Sequence, residues 1–298
     1  MDIIPVAHTS LRLTFGKTPA QPGVRLIGPV IAHRIIEKIL AGLIDLDILP
    51  DPIGYLTVGY SPFYHGHKFL IIQSGRLQPL GIKTLVEVVG GRLGQDEQGG
   101  VEFVDLSYTQ ITDEGLTHFA GQSVLVSLNL NNTQVTDRGL VHLAEIPTLR
   151  TLGLSFTQVT DAGLAGLVGA SALETLGLVG TQVTDAGLVH LATLSRLEYL
   201  GLGYTQVTDI GLTHLAGASA LESLNLDSTQ VTNAGLVHLT TLPRLERLSL
   251  AYTDVTDAGL GYLMGLRGLV ELNLSGTLVT AGGIGALRRA LPDCVVSI

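Results

Sequence analysis

The chain has 298 residues, a formal net charge of −9, and 46% hydrophobic against 14% charged residues. This composition excludes a disordered chain, the negative balance argues against nucleic-acid binding, and a single cysteine, Cys294, excludes an internal disulfide framework. No apolar run reaches the ~18 residues of a membrane helix, and the first ten residues, with Asp2 and no basic stretch, do not read as a secretory leader, so a cytoplasmic protein is expected.

In chain order, LRLTF at residues 11–15 reads as a strand and GKTPAQPG as a turn. Residues 30–44 read as a helix with Ile31, Ile35, Ile39 and Leu40 on one side; Pro50 and Pro52 follow it. YLTVGY and KFLIIQS read as a hairpin around SPFYHGH, and residues 82–92 as a second helix. A small α+β domain over residues 1–100 is therefore expected. All four lysines lie in it, whereas residues 101–298 use only arginine and carry a net charge of −10. The shift places a boundary in the GQDEQGG stretch, residues 94–100.

From residue 101 the chain repeats every 24 residues. The marker is TQITD at Thr109, TQVTD at Thr133, Thr157, Thr181 and Thr205, TQVTN at Thr229, TDVTD at Thr253 and TLVTA at Thr277. Eight units fill residues 101–292, and a partial unit, DCVVSI, forms a terminal strand at 293–298. Each follows LxxLxLxxTxVTDAGLxxLAxLxx. The first half alternates with period two, as at Leu176 and Leu178, and predicts a short strand. In the second half, Thr184 is suited to cap a helix, Asp185 to sit near its positive end, and Leu188 and Leu191 to face the strand. Gly187 and its equivalents let the helix start approach the neighbouring coil. The marker threonines are expected to form a hydroxyl ladder to backbone groups between coils.

This pattern resembles the leucine-rich repeat, in the helix-bearing subclass of bacterial repeat proteins, with Thr where most families place Asn. The resemblance covers residues 101–298. It implies an α/β fold: a curved, right-handed solenoid with parallel strands on the concave face and short helices on the convex face. It implies protein binding and no activity. An open solenoid end exposes its core, so residues 1–100 are expected to cap one end. At the other end Ala281 replaces Asp, and Arg288, Arg289 and the terminal VVSI are the capping signs.

A second period lies inside the first. Tyr108, Phe156, Tyr204 and Tyr252 precede the marker in odd units, where even units have Asn132, Gly180, Ser228 and Gly276. The true repeat is therefore a 48-residue pair. On the strands, Gly153, Gly177 and Gly201 leave the middle of the face nearly bare, with Tyr199 and Arg247 rising beside it. Tyr and Arg are favoured anchors. The expected partner site is thus Tyr108, Phe156, Tyr199, Tyr204, Arg247 and Tyr252.

Other constellations have plainer readings. His118, His142, His190, His214 and His238 recur on the helices, but successive helices stand ~10 Å apart, too far to share a metal ion. His65 and His67 form an H-x-H without a nearby acid or cysteine. The repeated Asp lacks the acid spacing of a calcium loop. No phosphate loop, nucleophile elbow or zinc-protease motif occurs, and Cys294 reads as buried. The reading is a non-enzymatic scaffold with no cofactor, no catalytic residue and no metal. Two alternatives stand beside it. IIEKILAGLIDLDIL at residues 35–49 resembles the start of an F-box, implying a ubiquitin-ligase adaptor, although Pro50 and Pro52 break the next helix. The other is a small enzyme or metal-binding domain in residues 1–100, around Tyr64, His65 and His67.

Overall fold

The computed structural model describes residues 82–298 and five strand segments upstream of them. The chain divides into two compact units, Met1–Gly90 and Gly91–Ile298. In the first, β1 (Ile3–Pro5) pairs antiparallel with β2 (Arg12–Thr14). Strands β3 (Arg25–Ile27), β4 (Tyr55–Tyr60) and β5 (Lys68–Gln73) form a sheet in the order β3-β5-β4, so β4 and β5 make the hairpin read from the sequence. A helix at Ile82–Val89 follows, with Leu85 and Val86 buried. It stops three residues short of the sequence expectation because Gly90 turns to φ +81° and its N–H returns to Glu87 O at 3.2 Å. The helix expected at residues 30–44, the F-box-like stretch, and Tyr64, His65 and His67 lie outside the described residues.

The second unit opens with β6 (Arg92–Gln95), which runs antiparallel to β7 (Val101–Asp105). The turn between them is closed by Asp96, whose Oδ1 accepts the N–H groups of Gln98 and Gly100 at 3.0 and 2.6 Å. The charge shift at residues 94–100 thus marks a hairpin inside the second unit, and the division lies ten residues upstream. Hydrogen bonding ties β6 to the repeats, which composition cannot register.

Eight further strands follow: β8 (Ser127–Asn129), β9 (Thr151–Gly153), β10 (Thr175–Gly177), β11 (Tyr199–Gly201), β12 (Ser223–Asn225), β13 (Arg247–Ser249), β14 (Glu271–Asn273) and β15 (Val295–Ser297). Each pairs in parallel with the next, and the sheet runs in chain order from β6 to β15. Every register step in the repeats is 24 residues, as Leu176↔Leu200 shows. Between strands the chain returns through short helices such as Asp161–Gly166 and Asp257–Leu263, several continuing as 3-10 turns. The last, Ala281–Ala290, is the longest of them at 10 residues.

The core is a set of aliphatic columns. Leu176 and Leu178 from the strand, Val183 from the turn and Leu188 and Leu191 from the helix are all buried, and the other coils repeat them. Each such side chain contributes ~1.5–3 kcal/mol of burial, as an upper bound. No coil can bury these positions alone, so stability comes from stacking. The result is an open α/β solenoid, as the repeat predicts.

Candidate functional site

Two ladders set the geometry of the coils. The marker threonines Thr109 to Thr253 are buried, and each hydroxyl donates to the carbonyl three residues back, as Thr181 Oγ1 does to Leu178 O at 2.7 Å. This corrects the expected inter-coil ladder. The hydroxyl closes the turn of its own coil, because the chain reverses there and brings that carbonyl nearest.

The inter-coil links come from the helix-start aspartates. Asp185 Oδ1 accepts the Thr208 N–H at 2.7 Å, and Asp185 Oδ2 accepts the Thr208 hydroxyl at 2.6 Å. The Thr208 hydroxyl in turn accepts the Ile210 N–H at 3.2 Å and so caps the next helix. The same pair recurs from Asp113–Thr136 to Asp257–Thr280. Within one coil these aspartates read only as dipole partners of their own helices; the reach to the next coil is what the single repeat does not display.

The ladder also explains the recurring helix-start glycine from Gly139 onward. A Cβ at Gly211 would stand 2.4 Å from Asp185 Oδ1 and 3.0 Å from Leu188 Cδ1, so the close approach inferred from the sequence is an approach to that carboxylate.

On the sheet face the six expected site residues separate into two sets. Tyr199 and Arg247 line a groove of about 690 Å³ over the C-terminal strands, together with Asn225, Ser249, Glu271 and Asn273. Arg247 pairs with Glu246 at 3.6 Å and sits in register with Glu271. The groove floor is a polar network: Asp227 accepts the Ser249 hydroxyl at 2.5 Å and the Ala251 N–H at 2.8 Å, and Asn273 Nδ2 donates to Ser249 Oγ at 3.0 Å. The surface thus combines fixed hydrogen-bonding groups with one cation, Arg247.

The glycine tract is less bare than the sequence suggests. The space beside Gly153 is taken by the amide oxygens of Asn129 and Asn131, each 2.9 Å from where a Cβ would stand. The Tyr199 ring folds over Gly201, its Oη 3.2 Å from where a Cβ of residue 201 would stand. Alternate residues of a strand share a face, so a large side chain covers a small one two positions on.

The second set is Tyr108, Phe156, Tyr204 and Tyr252. They do not line the groove. They follow the strands, and all four have left-handed backbone, with φ of 57° to 58°. Asn132, Ser228, Gly180 and Gly276 share that conformation in the even units, with φ of 53° to 68°. A bulky residue in this region is unusual and costs ~1–2 kcal/mol. The rings do not recover that by burial, since they remain 77%, 54%, 60% and 66% exposed. Phe156 lies across the next coil: a Cβ at Gly180 would be 2.5 Å from its Cδ1, and Tyr252 bears the same relation to Gly276. Beside this row runs a column of exposed glutamines from Gln110 to Gln230, in which Gln134 Nε2 donates to Gln110 Oε1 at 2.7 Å.

The remaining candidates stay apart. The five helix histidines are half-buried, one per coil, and no group of three metal-ligating side chains occurs among the described residues. Cys294 is buried, and burial first, then Glu271, pushes its thiol above the usual value. No helix among the described residues is long and apolar enough to cross a membrane.

A family model described as leucine rich repeat matches residues 101–120, 122–144 and 145–168. No curated protein matches the chain significantly. Among solved structures, the internalin InlF of Listeria monocytogenes is similar with a TM-score of 0.53 at 25% identity, over 65% of this chain and 52% of that one. The internalin C2 of the same organism gives a TM-score of 0.53 at 24% identity, over 73% and 84%. A leucine-rich-repeat protein of Leptospira interrogans gives 0.45 at 18%, over 63% and 52%. The chain thus spans about half the length of the first of these, and the likeness is one of fold.

Proposed function

Since the repeats form a leucine-rich-repeat solenoid of bacterial type, we propose that the protein is a non-enzymatic scaffold that holds a protein partner on the concave sheet face. The observation that carries this reading is the groove over the C-terminal strands, where Tyr199 and Arg247 flank a floor of Asn225, Ser249 and Asn273. Positions that the fold leaves free differ from coil to coil there, whereas the Leu, Thr, Asp and Gly positions recur. An aromatic and a guanidinium over a fixed polar floor are the elements of a binding hot spot. Ser249, Asn273 and Ser275 are tied to one another and to Asp227 by hydrogen bonds, so the floor of the groove is set before a partner arrives.

The test is a quantitative pull-down with the full chain as bait, comparing wild type with the Tyr199→Ala, Arg247→Ala variant at unchanged melting temperature. A partner captured by wild type and lost by the variant supports the reading. Undiminished capture by the variant removes the groove from it, and turnover traced to residues 1–100 would replace it with the enzyme alternative.

A further inference from the structure

We propose that the exposed aromatic row Tyr108, Phe156, Tyr204 and Tyr252 is a docking rail for a proline-rich, basic segment of a partner in polyproline II conformation, one proline seated per ring. The inference rests on the protein-binding reading above and specifies the chemistry of the partner.

Spacing is the first argument. The rings occupy every second coil, and neighbouring strands stand ~4.8 Å apart, so the rings repeat at ~9.6 Å along the sheet. A polyproline II helix has three residues per turn and rises ~3.1 Å per residue, so side chains at i, i+3 and i+6 repeat on one face at ~9.3 Å. Over the three intervals of the row the mismatch accumulates to only about 1 Å, less than a ring width. An extended β-strand repeats on one face at ~6.6–6.8 Å and loses phase after a single ring.

The rings are also set before any ligand arrives. Left-handed backbone fixes the direction of each Cα–Cβ bond, and the following glycine lets Phe156 and Tyr252 lie down on the next coil. Strain kept at four equivalent exposed positions, while the even units use Asn132, Gly180 and Gly276 or the small Ser228, points to a use for the rings themselves. Proline is an apt occupant because its ring packs flat on an aromatic face and its segment is already ordered.

Hydrogen bonding and charge agree. A polyproline II backbone makes no internal hydrogen bonds, so its carbonyls need donors, and the glutamine column beside the rings supplies amide N–H groups. The columns flanking the row contain Asp227 and Asp254 and no lysine or arginine, and the repeats as a whole carry a net charge of −10. A basic segment is therefore favoured over an acidic one.

The test uses the full chain and fluorescence anisotropy. The probe is a labelled thirteen-residue peptide with four prolines, one at every third position, and arginines among the other residues. The comparator has the same composition with proline at every fourth position. The variant is Tyr204→Gly, Tyr252→Gly, which removes two rings and keeps the backbone conformation. The expected result is at least ten-fold tighter binding of the every-third peptide, loss of that margin in the variant, and weaker binding in added salt. Equal affinity for both peptides, or full binding by the variant, overturns the proposal. So does binding of neither peptide. A partner still captured through Tyr199 and Arg247 in that case leaves the scaffold reading standing.

Discussion

Asn233 holds Thr256 with the same two contacts that aspartate makes in the other coils, one of them to a different atom type. Its Oδ1 accepts the Thr256 N–H at 2.9 Å, and its Nδ2 donates to Thr256 Oγ1 at 2.8 Å, where a carboxylate would accept from that hydroxyl. The hydroxyl can turn its proton away because it has other acceptors within reach in water. The inter-coil link therefore depends on two polar atoms in the right place more than on charge. Asp185→Asn is expected to change stability by less than ~0.5 kcal/mol, whereas Asp185→Ala, which strands the Thr208 N–H, costs ~1–2 kcal/mol. Urea unfolding of the three proteins decides it; equal losses for Asn and Ala would show that the charge is what matters.

Acid should weaken the last link of this ladder. The hydroxyl of Thr280, and after it the Thr280 N–H, hold the Asp257 carboxyl below its usual value of 3.8, against a smaller opposing effect of burial. A carboxyl lowered in the folded state adds stability above its unfolded pKa and loses it as pH falls through the folded value. Glu114, held down chiefly by the Thr112 hydroxyl, acts in the same sense. Melting temperature is expected to fall below about pH 4, and Asp257→Asn to flatten that limb.

Glycine two residues after the ladder aspartate has no room for a methyl group. Gly211→Ala is expected to cost ~1–3 kcal/mol through overpacking against Asp185 and Leu188. Gly261 is the control: it lies in the helix Asp257–Leu263, and nothing stands within 4 Å of a Cβ there. Gly261→Ala should stabilise by ~0.5–1 kcal/mol through helix propensity. A neutral Gly211→Ala would mean that the coils can part without loss.

The left-handed aromatics oppose stability to binding. Tyr204→Gly removes a strain of ~1–2 kcal/mol and some ring packing, so folding stability is expected to hold or rise while partner binding falls. Tyr204→Asn, the choice seen naturally at Asn132, should behave alike. A clear drop in melting temperature for both would assign the rings a structural role.

Cys294 is expected to resist modification. Burial, then the charge of Glu271, holds its thiol above the usual 9.0, so little thiolate exists at pH 8. Labelling by a disulfide reagent should be at least ten-fold slower in the folded protein than in urea. Equal rates would place the thiol in solvent.

Much of this architecture was legible because the repeat is regular. The alternation at Leu176 and Leu178 gave the strand, and the 24-residue period gave its register without any further information. The Asp185–Thr208 link was not legible in the same way. It joins residues 23 apart, and only the pitch of the coil places one beside the other; within a single unit Asp185 explains itself as a helix-start residue. The clue was present in Gly211, whose recurrence called for a neighbour, and in Asn233, an amide standing where dipole compensation would want a charge. The left-handed turn could also have been read, since Asn132, Gly180 and Gly276 are residues tolerant of positive φ. The expected site joins the concave face to its rim, and the strand bounds divide the two. Tyr199 and Arg247 sit on strands, whereas Tyr204 and Tyr252 sit in the turns that follow them.

The alternation of ring and small residue sets a rule for how such a chain can change its length. Phe156 lies on Gly180 of the coil after it and Tyr252 on Gly276, while the small Asn132 and Ser228 follow Tyr108 and Tyr204. Excision of residues 173–196 would keep every leucine column in register yet bring Tyr204 to the place of Gly180, against the Phe156 ring. Excision of residues 173–220 would leave each ring over a small neighbour. Viable relatives should therefore gain or lose coils two at a time, and an odd count should betray itself by a lost aromatic at the junction.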